Sequence, residues 1–353
     1  MLNSVQHLGS SLLGEILKQV QDDTSKRNLK HLWIGFRWII DFLKGKAPMN
    51  RLKRLLRSRD FILILGLVLG LAWGHGARWT SPLTLPALAV AMTLSVMGIP
   101  GAIFRSPRSL LGPALSGIVM SYPVLGGVIL GASFFLIGER SLWDGFVLVA
   151  AVPPGVAVIP FAYLLKGNGF FSLVATMGAY LGALVITPLM ALWLLGTASV
   201  DPAKLFVIMV ELIFLPLVVS QVLVRTGASK RIEPLKGTVT NWSFFLVIYT
   251  IVGLNRQVFL DNPLSLLPVA AVAVASTFLL GWAIREAGKA LRVEPGTVTS
   301  LVLLGTIKNY GLAGGLSLAL FSKDTAVPAT VSTIFMTVYI IWLGFQMKNQ
   351  KDY

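Results

Sequence analysis

The sequence predicts an all-α polytopic membrane protein. About ten transmembrane helices form two inverted five-helix repeats, with interrupted helices at spans 4 and 9. Three observations lead there. Of 353 residues, 55% are hydrophobic and only 13% charged, against about 25% charged in a soluble domain. The apolar residues fall into ten runs separated by charges and helix breakers. The fourth and ninth runs carry breakers in mid-span. A mean hydropathy of +0.77 excludes a disordered chain, a secreted disulfide scaffold and a soluble enzyme. With no cysteine there is no disulfide, thiolate metal site or cysteine nucleophile. Three histidines (His7, His31 and His75) leave little for a histidine-based metal site or triad. No cofactor or metal is expected, and no Gly-rich phosphate loop suggests ATP drive.

The chain opens on a basic segment. Residues 1–60 hold 12 of the 30 Lys and Arg and 5 of the 15 Asp and Glu. The net charge is +15 and the pI about 10.2. In a membrane protein such an excess points to cytoplasmic loops and anionic lipid headgroups, not to nucleic acid. The segment is too long and too charged for a cleavable signal and lacks a small-residue cleavage site, so residues 1–60 are expected to form a cytoplasmic extension. Within it, Trp33, Phe36, Ile40 and Leu43 recur at helical spacing over 30–46, with Arg37, Asp41 and Lys44 on the other side. This pattern suits an interfacial helix on anionic lipid; the alternative is a short cytosolic helix packed on the bundle.

A helix needs about 20 apolar residues to cross the hydrocarbon. Spans are predicted near 61–76, 83–104, 110–137, 143–165, 169–195, 203–225, 238–255, 264–284, 297–320 and 326–346. Turns such as Ser106-Pro107-Arg108, Gly138-Glu139-Arg140, Glu233-Pro234 and Glu294-Pro295-Gly296 divide them. With the N-terminus inside, inner loops carry 12 basic residues and outer loops 5, before the N-terminal segment is counted. That bias fits the positive-inside rule with both termini cytoplasmic, in the cell (inner or plasma) membrane. Ten spans divide into 61–197 and 198–347, followed by a tail at 348–353. Five spans per half force the second half into the opposite orientation, the arithmetic of an inverted repeat.

Spans 4 and 9 are counterparts under that division. Span 4 places Pro153, Pro154, Gly155 and Pro160 within eight residues, and each proline removes a donor and clashes with the preceding turn. Span 9 runs from Gly305 through Lys308, Asn309 and Tyr310 to Gly311. Unwound backbone at that depth is tolerated only within protein or beside a watery cavity. Matching interruptions point to a transport site rather than to kinks that merely tighten packing. Glu211 in span 6 and Lys308 in span 9 are the two ionisable residues deep in spans. Intramembrane charges mark partners or pathways. An ammonium at the break can stand where a cation would bind, bind an anionic solute, or release a proton during transport. Pairing with Glu211 and a fixed structural ion pair are the other readings.

Two motifs carry a family resemblance. The run Pro153-Pro154-Gly155-Val156-Ala157-Val158-Ile159-Pro160 through Lys166-Gly167-Asn168 resembles the fourth-helix motif of the bile acid:sodium symporter family, within the wider superfamily that includes auxin carriers. Lys308-Asn309-Tyr310-Gly311-Leu312-Ala313 resembles its ninth-helix motif, and Pro216 and Gln221 match a proline and glutamine of its sixth. The resemblance covers about residues 61–346. It implies a core domain (spans 3–5 and 8–10) that crosses its broken helices at the site. A panel domain (spans 1, 2, 6 and 7) faces it and moves against it to alternate access. Family substrates are mostly organic anions carried with sodium. The departures are at the sodium positions. Val158 and Ile159 stand where the family has serine and asparagine, Leu304 where it has glutamate, and Lys308 where it has glutamine. Only Ser172 and Thr176 match side-chain ligands.

The expectation is a sodium-independent secondary transporter of a small or amphipathic organic anion, with Lys308 replacing the bound cation and proton coupling an open possibility. Asn309, Tyr310, Ser172, Thr176, Asn168 and Glu211 are the expected polar contacts or coupling groups. The alternatives are a cation/proton antiporter or auxin-carrier-like exporter, and a non-transporting membrane receptor or scaffold.

Overall fold

A computed structural model describes residues 59–97, 107–155, 157–196, 202–261 and 263–349. The amphipathic segment at 30–46, all but the end of the 1–60 extension, and the tail from 350 lie outside the described residues. The described chain is helical, and its one β-type pairing is an isolated bridge at the crossover.

Helices lie within all ten predicted segments. α1 (Arg59–Ala72) and α2 (Thr84–Val96) are joined by short helical turns. α3 runs through Pro107–Val119, a wide turn at Met120–Gly126 and Gly127–Leu136. α4 (Arg140–Ala151) and α5 (Val158–Leu164) are the halves of span 4, and α6 is Gly169–Leu195. α7 comprises Pro202–Met209, a wide turn at Val210–Phe214 and Leu215–Arg225. α8 is Ala228–Leu254, and α9 runs through Leu267–Val274, Ala275–Leu279 and Leu280–Ala290. α10 (Pro295–Leu304) and α11 (Tyr310–Leu320) are the halves of span 9, and α12 is Val327–Asn349.

Among the described residues, six helices are long and apolar enough to cross a membrane, or seven if Phe61–Ala72 and Gly74–Leu94 count as one span bent by 96°. The bend explains the difference from the ten predicted crossings at this end. The fourteen described residues of α1 reach about 21 Å. The Gly74-His75-Gly76 sequence at the corner breaks the run. At α8 the helix begins ten residues before the predicted 238 and passes through Pro234. The proline forgoes one bond, to the carbonyl of the exposed Lys230, where water can replace it. Gly227, at φ +75, is the left-handed joint between α7 and α8.

Packing gathers the helices into two groups. α8 lies against α1 and α2, and α7 against α2; α6 lies against α3 and α4, and α9 and α11 against α12. The α3–α6 seam is close enough to exclude side chains. A Cβ on Gly117 would overlap the carbonyl oxygen of Ala175, and one on Gly178 would stand 2.6 Å from Cα of Ala114. Gly117→Leu is therefore expected to cost about 1–3 kcal/mol or more through backbone displacement, whereas Gly112→Leu, with open space around it, stays near neutral. Thermal unfolding of the detergent-purified proteins compares them, and equal melting of the two variants would refute the close seam.

Candidate functional site

The interruptions meet. α4 ends at Ala151, and Val152 turns extended at φ −72, ψ 155. Two consecutive prolines then forbid both the helix and the donation of amide protons. On the other side α10 ends in a turn through Gly305 and Thr306, and a short stretch from Ile307 leads to the Asn309 cap of α11. The two stretches pair antiparallel at Pro154 and Lys308. The Gly155 amide donates to the Ile307 carbonyl at 3.2 Å, and the Asn309 amide to the Pro153 carbonyl at 2.9 Å. Backbone polarity freed by each break is thus satisfied by the other, as a membrane interior requires. Gly155 allows the approach, since a Cβ there would be 3.1 Å from the Lys308 carbonyl oxygen.

The Lys308 side chain is 1% exposed. Its ammonium has three protons and three acceptors: the carbonyls of Ala150 at 2.7 Å and Val152 at 2.8 Å, and Ser121 Oγ at 3.1 Å. It also lies 4.6 Å from the centre of the Tyr122 ring, a cation–π contact. Ala150 belongs to the last turn of α4, where carbonyls lack intrahelical partners and the helix dipole favours a cation. Lys308 therefore caps α4 from the opposite broken helix. Ser121 and Tyr122 reach it from the wide turn of α3, where Pro123 disturbs the α-helical ladder. A further end carbonyl of α4, that of Ala151, accepts from Thr187 Oγ1 at 2.7 Å.

Asn309 is 4% exposed and joins three elements. Its Oδ1 caps α11 by accepting from the Leu312 amide at 3.1 Å. Its Nδ2 donates to Tyr180 Oη on α6 at 3.0 Å and approaches Met92 Sδ on α2 at 3.3 Å. Ser172 and Thr176 lie on α6 at four-residue steps below Tyr180, hence on the same face. Both are buried, and neither hydroxyl has a hydrogen-bond partner among the described residues; the same holds for Tyr310 Oη. Ser121, Tyr122 and Tyr180 escaped the sequence reading. Their only signal was a few polar atoms in otherwise apolar spans.

Two expected site residues lie elsewhere. Glu211 is exposed on the outward face of α7 with Val207, Phe214, Leu215 and Val218, while Ile208, Leu212 and Pro216 turn inward. Among the described residues the ion pairs are Arg140–Asp144, Lys236–Glu233 and Lys289–Glu286, so Glu211 does not pair with Lys308. Asn168 is the N-cap of α6, its Oδ1 accepting from the Phe171 amide at 2.9 Å. Its own amide donates to Gly296, in the first turn of α10. The length of α10, about 15 Å, separates that point from the break. Asn168 thus ties helix ends together and does not face Lys308. Nearby, the Gly296 amide and the hydroxyl and amide of Thr297 hold the Glu294 carboxyl below its usual range, capping α10.

A cavity of about 690 Å³ opens beside the crossover. Gly155, Ile159, Lys308, Asn309 and Gly311 line its deep side, and α8 forms the facing wall. At the positions the resemblance assigns to sodium, Val158 and Leu304 are fully buried apolar side chains, and Ile159 lines the cavity. Sodium, a hard cation, wants oxygen ligands, as calcium and magnesium do. Two of the crossover carbonyls already accept from the ammonium. Of the side chains at the positions assigned to sodium, only the Ser172 and Thr176 hydroxyls offer oxygen. Among the described residues, no three His, Cys, Asp or Glu side chains cluster as metal ligands.

No protein-family model matches the chain. Curated relatives do. It is similar to the uncharacterized sodium-dependent transporter YocS of Bacillus subtilis, 25% identical over 227 residues covering 62% of this chain and 68% of the relative. The probable chloroplast sodium/metabolite cotransporter BASS3 of Oryza sativa is 23% identical over 300 residues, 75% of this chain and 70% of the relative. The corresponding BASS1 of Arabidopsis thaliana is 23% identical over 280 residues, 76% and 68%. Paired interrupted helices and similarity to transporters over most of its length agree: the chain is a multi-pass, all-α membrane protein that resembles the sodium/metabolite cotransporters of the bile acid:sodium symporter family.

Proposed function

We propose that the protein is a secondary transporter of a small organic anion that works without sodium, Lys308 supplying the positive charge that sodium provides in the relatives. The observation that carries this is the ammonium at the crossing, its three protons bonded to Ser121, Ala150 and Val152, with no carboxylate against it among the described residues. Of the roles open to Lys308 in the sequence, the cation substitute is the one these contacts favour, because none of its protons is left for a solute. The group built on α1, α2, α7 and α8 acts as the panel and the remainder as the core, the two halves being inverted repeats. Rocking or sliding of one against the other exposes the cavity to either side in turn. The cavity reaches the Glu233 and Lys236 end of α8, which the basic-residue bias places in the cytoplasm, with both termini. The lining combines apolar side chains with Lys236, Asn241 and Asn309, which suits an amphipathic solute.

Uptake by proteoliposomes, screened over carboxylates and sulfonates, tests the reading. Replacing a sodium gradient by choline is expected to leave the initial rate unchanged within about twofold. A sodium-dependent rate, unaltered in Lys308→Ala, would refute the substitution of ion by side chain. Binding without flux would mark a receptor instead.

A further inference from the structure

The cavity is lined by three charged residues: Glu233, Lys236 and Lys308. Lys308 is spent on the protein itself. Lys236 is not. It stands on α8 near the open end, its side chain about one-fifth exposed, and its partner Glu233 lies 3.6 Å away on the same helix. A well-made ammonium–carboxylate contact closes to about 2.7–2.9 Å, so this pair is loose, and Glu233 itself is mostly exposed. Beyond Lys236 the polar Thr240 and Asn241 come one turn deeper, and the wall turns apolar at Phe244 and Ile248. Phe244 touches the crossover, since a Cβ on Gly311 would meet its ring at 3.3 Å. Eight helical residues, about 12 Å, thus separate a cation at the mouth from an aromatic floor.

Resting on the transport reading above, we propose that Lys236 selects for a negatively charged head on the transported solute, and that Glu233 occupies it between loads. The solute is an anion of the carboxylate or sulfonate class with an apolar body reaching toward Phe244. Its head displaces Glu233 from Lys236 on loading, and Glu233 returns on release. Because Lys236 and Phe244 both belong to α8, the wall opposite the crossover, one helix group holds the head and one side of the body while the other side of the body faces the crossover. The carboxylate three residues away makes the site weaker than a bare lysine, which favours release.

The matched pair naphthalene-2-sulfonate and uncharged naphthalene-2-sulfonamide tests this on the full chain in nanodiscs, by ligand-induced thermal shift, and in proteoliposomes, by uptake of labelled sulfonate. Lys236→Gln is expected to weaken sulfonate binding about tenfold or more, the loss typical of one charge-assisted contact, and to leave the sulfonamide unaffected. Lys236→Arg should keep affinity within about threefold, and Glu233→Gln should tighten it. Both side chains are solvent-accessible, so unliganded melting should match the wild type; if Lys236→Gln melts early, Lys236→Arg and Glu233→Gln carry the decision. Wild-type sulfonate affinity and uptake in Lys236→Gln, or no tightening in Glu233→Gln, would overturn the assignment while leaving the transport reading intact. A wild type that neither binds nor carries the sulfonate, nor the carboxylate 2-naphthoate, would remove the transport reading and this assignment with it.

Discussion

Lys308→Met is expected to abolish transport, by at least about a hundredfold, in a protein that still folds. Removing the ammonium leaves the Ala150 and Val152 carbonyls and the Ser121 hydroxyl without their donor, at about 1–3 kcal/mol per orphaned buried group. It also returns the several kcal/mol spent on desolvating a buried cation. These effects are of similar size and opposite sign, so the melting temperature should move by only a few degrees. The charge that holds the end of α4 against the other broken helix has no substitute. Lys308→Arg should fail as well, because a planar guanidinium cannot aim three protons at the acceptors that surround one compact ammonium. Uptake and melting measured on the same preparations decide the matter. Near wild-type uptake by the methionine variant would show that the charge does not serve the cycle.

The second expected result is a gain. Leu304→Glu combined with Lys308→Gln puts the family's carboxylate and amide back at the two positions where this chain has an aliphatic side chain and an ammonium. Leu304 is fully buried, so an ionised glutamate there is destabilising unless a cation joins it. Ser172 and Thr176 already place unpartnered hydroxyls in the core. Sodium should therefore raise the melting temperature of the double variant, with choline inert and the wild type indifferent to both. At a hundredfold excess over the dissociation constant the stabilisation would be about 2.7 kcal/mol. Identical melting of the double variant in sodium and choline would mean that the crossover has lost more than two side chains, with Val158 and Ile159 the remaining obstacles.

What the sequence disclosed and what it hid follow from the kind of atom involved. A lysine between Gly305 and Gly311 in an apolar run can be read directly, because both its cost and its breakers are side-chain properties. Its acceptors cannot: two are main-chain carbonyls, identical at every residue, and the third is one serine in a span with no other sign of importance. Glu211 misled for a related reason. Apolar residues surround α7 on the inward face at Ile208 and Leu212 and on the outward face at Val207 and Phe214. Without an amphipathic stripe, nothing in the sequence says which way a charge points. Asn168 was legible as a helix start, a short polar residue ahead of an apolar run, and its structure follows that local chemistry rather than the family motif. The broken spans could be located because proline and glycine act locally. The break between α1 and α2 was legible too, but the sequence placed it after 76, whereas Gly74-His75-Gly76 already forms the corner.

The bridge between Pro154 and Lys308 is built from amides and carbonyls alone. A joint of that kind is indifferent to nearly every substitution that preserves chain direction. Side chains around it can change without removing the joint, provided the proline break at 153–154 and the close approach at Gly155 are kept.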